Sequence, residues 1–479
     1  MIKLRDYQND GIEKIRNELR NGHKRVILCS PTGSGKTVIF SYLAFASSLK
    51  QSNVLILTNR VQLLEQSEKA LEKVNIISDS ITRYKKNVPS DGINIAMVET
   101  LKRRLNRGDF LAYFQKIDMI IIDECHIQNF DAIFTFLSDK QVVIGFTATP
   151  HRDNKNNQLA KYYTSLVDLI QVSKLIDLGF LSTPKSFGIP IDLNGVSKSK
   201  GDYDEAELAK KYHDDEIYKG AVKNWEKYAI NKKTIVFSPT IEASKEICNE
   251  FAENGYNAKH FDCYMTENDK KDVLEWFFAN QDAVLCNVGI LTTGFDCPEI
   301  LCVILYRATT SLPLFLQMVG RGSRITDTKK DFTILDFGNN IHRHGFWEAD
   351  RNWSLDLEKK KRTKKDVAPV KFCKECEAIV AMNCRVCPEC GAILVKEKEK
   401  EAVEIMLAEL TPNQIMKKAN DDNTTVEELE AIRLINNYKV GFVLHRLKTE
   451  SQFKEYEKLK GYKRGWHKHQ FNFYQNDRR

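Results

Sequence analysis

Short, β-branched apolar runs punctuate the first part of the chain at Val26–Cys29, Val54–Leu57, Ile93–Met97, Met119–Ile122 and Val142–Phe146. Each is too short for a core helix and is followed by turn residues or by helical spacing. Continuous apolar runs of this kind read as strands buried on both faces, and their alternation with helical segments predicts a parallel sheet with crossover helices. The pattern weakens after Pro184, and residues 194–204, rich in Gly, Ser, Lys and Asp, read as a linker or exposed insertion. It resumes at Thr234–Phe237, Ala258–Phe261, Ala283–Cys286, Cys302–Leu305 and Phe332–Leu335. Two α/β domains joined by a connector are therefore expected, with no short-period repeat. Beyond about residue 346 the pattern stops: a basic run, a cysteine cluster and an alternating charged stretch at 396–400 precede a helical tail.

The 479 residues include 42% hydrophobic and 29% charged side chains, which fits a globular chain with large cores and excludes disorder throughout. The net charge of +7 is mild, so its placement matters more than its size. Residues 359–365 form one basic run and the last twenty residues hold another, and such clusters favour phosphate backbones. The first residues carry no secretory signal, and no apolar stretch is long enough to span a bilayer. A cytoplasmic protein is expected, with no membrane partner. Seven of twelve cysteines are scattered singly through apolar segments, as core residues are, and five fall between Cys373 and Cys390.

The strongest local signal is Ser30-Pro31-Thr32-Gly33-Ser34-Gly35-Lys36-Thr37, lying between an expected strand and an expected helix. That is the context a phosphate-binding loop requires. The glycines let backbone N–H groups at Thr32, Gly33, Ser34 and Gly35 face phosphates, with the helix N-terminus adding positive potential. Lys36 then reaches the β- and γ-phosphates of ATP, and the Thr37 hydroxyl meets Mg²⁺. The second signal, Asp123-Glu124-Cys125-His126, follows the run Met119–Ile122. Carboxylates at a strand's C-terminal end face the same crevice, so Asp123 is the candidate Mg²⁺ holder and Glu124 the candidate general base.

An Asp-Glu-x-His box downstream of such a loop resembles motif II of superfamily-two helicases, and the remaining motifs of that family follow in order. Leu4–Gln8 resembles the adenine-reading segment, with Gln8 as the base contact. Thr58-Asn59-Arg60 through Gln66, and Val98-Glu99-Thr100-Leu101, resemble the motifs that touch the nucleic-acid backbone. Thr147-Ala148-Thr149-Pro150 resembles motif III, which with His126 couples hydrolysis to domain movement. Ile235–Ser238 resembles motif IV, and Thr292-Thr293-Gly294-Phe295-Asp296 resembles motif V. Gln317 through Arg324 resembles motif VI, with Gln317 ordering nucleotide or water. Arg321 and Arg324, three residues apart, are expected to share a helix face and to meet the γ-phosphate. The resemblance implies tandem RecA-like domains, with Asp296 linking the nucleotide to a strand-binding surface formed by Arg60, Thr100 and Thr293. The acidic box, the segment 335–345 and the cysteine cluster together resemble RadD-like helicases of bacteria and phages, which implies DNA repair, recombination or replication and a nucleoid-associated protein in the cytoplasm of a bacterium or phage-infected cell. The segment 335–345 also reads as an ordinary domain-closing loop.

The expected division is a RecA-like ATP-binding domain at 1–180, a connector at 181–224 and a RecA-like C-terminal domain at 225–346. A basic linker at 347–371, a zinc ribbon at 372–392 and a basic helical region at 393–479 follow. Cys373-x-x-Cys376 and Cys387-x-x-Cys390 suit tetrahedral structural Zn²⁺, although Cys384-x-x-Cys387 is also a legal knuckle. In the tail, Lys463, Arg464 and Trp466 read either as a base-stacking and phosphate-binding strip or as a helical hairpin with buried aromatics. The combined reading is an ATP-dependent DNA helicase acting on single-stranded or branched DNA. A duplex-DNA translocase or annealing remodeller that does not unwind, an RNA helicase and a catalytically inactive nucleic-acid-binding scaffold are its rivals.

Overall fold

A computed structural model describes residues 4–59, 61–72, 76–85, 87–152, 158–188, 195–199, 202–214, 217–292, 295–355, 370–373, 375–381, 384–394, 424–435, 440–463 and 465–476. The chain divides into two compact units, residues 1–382 and 383–479.

The first sheet of the larger unit contains β1 (Arg25–Cys29), β2 (Val54–Thr58), β3 (Asp79–Ile81), β4 (Ile93–Met97), β5 (Met119–Asp123), β6 (Val142–Thr147) and β7 (Ser165–Asp168). Its strands run in the order β3-β4-β2-β5-β6-β1-β7, all pairs parallel. Strand side chains alternate between faces, and the burial follows that period. Ile27, Leu55, Leu57, Ile120, Ile122 and Val143 enter one core; Val26, Leu28, Val54, Ile56, Ile121, Ile144 and Phe146 enter the other. Each such side chain stabilises the fold by roughly 1.5–3 kcal/mol relative to exposure. All five runs anticipated in this half are interior strands.

The chain crosses to a second sheet through residues 169–182, which include the helix Val172–Asp177. Its strands are β8 (Thr183–Gly188), β11 (Thr234–Phe237), β12 (Ala258–Phe261), β13 (Val284–Asn287), β14 (Cys302–Leu305) and β15 (Asp331–Asp336), in the order β12-β13-β11-β14-β15-β8. A small hairpin, β9 (Lys198–Ser199) with β10 (Asp202–Tyr203), lies in the intervening segment. The segment expected as a mere connector thus supplies an edge strand of the second sheet. Two parallel-sheet domains in tandem make the RecA-like architecture.

Two further expectations change. Residues assigned to a basic linker begin inside the second domain: Trp347 is buried in its core and Trp353 packs against that core. The basic run itself, at 359–365, and the charged stretch at 396–400 lie outside the described residues. The loop Leu335–Gly345 closes the domain, since Asp336 accepts from Gly338 N (3.0 Å), Asn340 Nδ2 (2.9 Å) and Ile341 N (2.7 Å). Antiparallel β16 (Val370–Phe372) and β17 (Ile379–Ala381) follow, with Ala378 bridging to Phe187 on β8.

The smaller unit holds helices Val426–Ile435, Gly441–Leu444, Glu450–Lys460 and Trp466–Asn476 around Leu429, Ile432, Val443, Leu447, Phe453 and Tyr456. Among the described residues no helix is long and apolar enough to cross a membrane.

Candidate active site

The turn after β1 does what its sequence requires. Gly33 and Gly35 sit at φ +84° and +83°, and a Cβ at Gly35 would lie 2.6 Å from the Gln8 amide. Only glycine meets both the left-handed backbone and that approach. Ser30 Oγ donates to Ser34 Oγ (2.7 Å), which donates to the Pro31 carbonyl (2.7 Å), so the Ser34 hydroxyl braces the loop from within. Lys36 opens the helix Lys36–Ser48, and its ammonium donates to Ser30 O (3.1 Å) and Pro31 O (3.4 Å). Gln8 is buried, donating to Ser34 O (3.2 Å) and accepting from Arg5 N (3.0 Å), while Tyr7 Oη donates to Ser34 O at 2.6 Å. The first helix therefore holds the loop from beneath.

Asp123 ends β5, and Glu124 begins the following turn at φ +50°, a backbone region that L residues with a long side chain seldom adopt. Burial and the neighbouring Glu124 charge push the Asp123 carboxyl up, with Lys36 opposing. Burial acts on Glu124 too, but its hydrogen bond with His126 and the positive charges of Lys36 and Arg321 hold it down. Buried Asp123 and half-buried Glu124, lining one cleft with Thr37, are a donor set that suits a divalent cation. Cys125 packs behind the turn against Gly145 and Tyr163. His126 Nδ1 lies 2.9 Å from Thr147 Oγ1, and the Thr149 hydroxyl is buried with no hydrogen-bond partner among the described residues.

One cleft is lined by Thr32, Gly33, Gly35, Lys36, Thr37, Leu63, Asp123 and Glu124 from the first domain and by Asp296, Arg321 and Arg324 from the second. Arg321 donates to the carbonyls of Thr292 (2.7 Å) and Phe295, and Arg324 pairs with Asp296. Burial pulls Arg324 down to about 10, still cationic at neutral pH. The two arginines do not share a helix face as expected, because the helix Leu312–Val319 ends before them. They sit on the turns that follow, and Gln317 is buried in the helix that leads to them.

Of the strand-binding candidates, Thr100 is half-buried on the helix Val98–Arg104 and Lys463 is exposed. Arg60, Thr293 and Arg464 lie outside the described residues. Trp466 is half-buried and packs on Tyr456 and Tyr462, with ring centroids 6.1 and 4.4 Å away. Cys373 and Cys387 are buried, Cys376 and Cys384 half-buried and Cys390 exposed. Arg152 and Lys329, both buried and both tied to backbone carbonyls near the cleft, are absent from the sequence-based set. The only signal for Arg152 is its place just after Thr147–Pro150; Lys329 is one of two adjacent lysines.

Residues 1–152 match the family described as type III restriction enzyme, res subunit, and residues 218–326 match the helicase conserved C-terminal domain. A 51.5 kDa protein of a Lactococcus phage is 29% identical over 386 residues, 78% of this chain and 80% of that protein. A putative ATP-dependent helicase, IRC3, of Saccharomyces cerevisiae is 30% identical over 359 residues, 70% of this chain but 51% of its own length. Among solved structures, a fragment of a putative HsdR subunit of a type I restriction enzyme from Vibrio vulnificus superposes with TM-score 0.55 at 22% identity, covering 71% of this chain and 66% of that one. The type ISP restriction-modification enzyme LlaBIII bound to DNA gives 0.51 at 20% identity, covering 70% of this chain and 27% of its own. The chain thus spans about half of the yeast relative and about a quarter of LlaBIII. By both family matches, and by the order of the motifs along its two RecA-like sheets, the chain belongs to the DEAD/DEAH-type helicases of superfamily two.

Proposed function

We propose that this protein is an ATP-dependent DNA helicase, which couples ATP hydrolysis to movement along DNA and to strand separation. The observation that carries the reading is the two-sided cleft. Lys36, Asp123 and Glu124 come from one sheet, and Arg321 and Arg324 come from the other. When bound, ATP would supply the γ-phosphoryl group, and Mg²⁺ would neutralise charge on the phosphates. Lys36 and the loop N–H groups hold the phosphates, with Asp123 and Thr37 as cation partners. Glu124 is ionised, and its place beside the cleft suits it to take a proton from water. Arg321 and Arg324 stabilise charge on the phosphoryl oxygens from the facing domain, so the site is complete only while the cleft is closed. Differential affinity for the closed state then drives the domain cycle. Family membership supports a nucleic-acid motor, and the DNA-bound restriction enzyme of similar fold supports DNA as its track. The spacing of Cys373-x-x-Cys376 and Cys387-x-x-Cys390 supports a structural zinc held by these four residues.

The test is ATP hydrolysis without polynucleotide, then with single-stranded DNA, forked DNA and RNA, alongside Lys36→Ala. Stimulation by DNA that disappears in Lys36→Ala, followed by strand displacement on the fork, is the expected result. Stimulation by RNA alone moves the protein to RNA, and hydrolysis surviving in Lys36→Ala overturns the site.

A further inference from the structure

Arg152 is 8% exposed, and its guanidinium is spent on one short stretch of chain. Nε donates to His126 O at 2.6 Å, and Nη2 donates to Ile127 O at 3.2 Å and Cys125 O at 3.4 Å. Nη1 and Nη2 also grip the two carboxylate oxygens of Asp131 at 2.9 and 2.8 Å. Three successive carbonyls, immediately after Glu124, therefore converge on one cation. The carbonyl of Glu124 itself accepts from Ile127 N at 3.0 Å, and Cys125 N donates to Phe146 O on β6 at 3.0 Å. The turn that bears Glu124 is thus closed on itself, tied to the neighbouring strand, and clamped from its far side.

The clamp has a mechanical meaning because of where Arg152 stands. It follows Pro150 directly after His151, at the end of the segment Thr147–Pro150, whose Thr147 contacts His126 from the other side. Glu124 holds a left-handed backbone that it would leave if unsupported, since such conformations persist only when the surroundings over-determine them. A planar guanidinium fixes orientation as well as charge, in a way an ammonium cannot reproduce.

We infer that Arg152 is a positioning residue for hydrolysis: with Asp131 it fixes the Glu124–Ile127 turn, so that any shift of the Thr147–Pro150 segment is transmitted to the candidate base. The inference rests on the ATPase reading above, and the experiment separates the two. Arg152→Gln, Arg152→Lys and Asp131→Asn would be compared with the parent chain for kcat, for KM(ATP), for affinity for a fluorescent ATP analogue, and for amide hydrogen exchange over residues 124–128. A base displaced by an ångström loses ~10²-fold in rate. Arg152→Gln should therefore lower kcat by about that factor, with KM and analogue affinity within about twofold of the parent. Exchange at 124–128 should quicken while the rest of the first domain keeps its protection. Arg152→Lys should recover only part of the rate. Full rate in Arg152→Lys overturns the inference, as does a general loss of protection and nucleotide affinity across the domain. If the parent itself hydrolyses no ATP, the proposed function fails, and the exchange pattern alone decides the clamp: quickened exchange confined to 124–128 supports it, and unchanged exchange overturns it.

Discussion

His126 Nδ1 stands 2.9 Å from the hydroxyl of Thr147 and 3.4 Å from Glu124 Oε2, so one imidazole touches both the candidate base and the first residue of the adjoining threonine-rich turn. Thr147 Oγ1 in turn accepts from Thr149 N at 3.0 Å. A charge state sensed at Glu124 has a short path to that turn.

Removing this contact should separate hydrolysis from movement. Thr147→Val keeps the volume and deletes the hydroxyl, at a cost of ~1 kcal/mol of interaction. Strand displacement per ATP consumed should fall by about tenfold or more, with DNA-stimulated ATPase nearly intact. Parallel ATPase and unwinding assays measure the ratio, and an equal fall in both would place the contact in hydrolysis alone.

Lys329 donates to three carbonyls, Pro298 O at 2.9 Å, Ile300 O at 2.5 Å and Gly322 O at 2.6 Å, tying the segment after Asp296 to the turn that carries Arg321 and Arg324. Burial pulls this lysine down to about 7, so the carbonyls are what keep a proton there worthwhile. Lys329→Met would leave buried acceptors unpaired, each worth ~1–3 kcal/mol. Urea denaturation should show a loss of about 3 kcal/mol, and ATP hydrolysis should fall further than affinity for the nucleotide.

His344 gives a pH signature. Burial and the nearby Arg343 and Arg351 lower it to about 4, against an opposing hydrogen bond with the Thr309 carbonyl and the charge of Asp202. Between about 4 and the unfolded value of about 6.5 the unfolded chain binds the extra proton, so stability rises with pH across that window and is lost as pH falls through it. The contribution is up to about 3 kcal/mol. Urea midpoints of the parent should drop from pH 7 to pH 5 by more than those of His344→Gln; parallel curves would remove His344 as the cause.

Cys373, Cys376, Cys387 and Cys390 should together hold about one zinc per chain, as a tetrahedral site does. Metal analysis of Cys387→Ser should show it lost, and Cys384→Ser should keep it. Loss in Cys384→Ser instead would exchange the ligands.

What could be read in advance, and what could not, follows burial and sequence distance. The interior strands announced themselves because both faces are apolar. The edges β3, β7 and β8 did not: β8 has a full strand partner only in β15, tolerates Pro184, and is half polar. The phosphate loop and the acidic turn were legible because their chemistry is local. The Arg152 clamp reaches back 26 residues to His126, and no local pattern encodes it. Gly320 and Gly322 flank Arg321 and end the helix before it, which the three-residue spacing of the arginines alone does not reveal. Trp347 and Trp353 marked the supposed linker as core, against its basic continuation.

Gly145 and Cys125 share one volume. A Cβ at Gly145 would lie 2.7 Å from Cys125 Sγ and 2.8 Å from Tyr163 Oη. The third letter of the acidic box is therefore a matter of room: it is sized by the strand standing behind it, while Glu124 before it lines the cleft and His126 after it meets Thr147. A bulkier letter demands space that position 145 has already surrendered, and a smaller one opens a void that an alanine at 145 would fill. Read this way, the spelling by which such motors are sorted is partly a record of how their central strands nest, and grafting a box from one chain to another calls for its strand partner to travel with it.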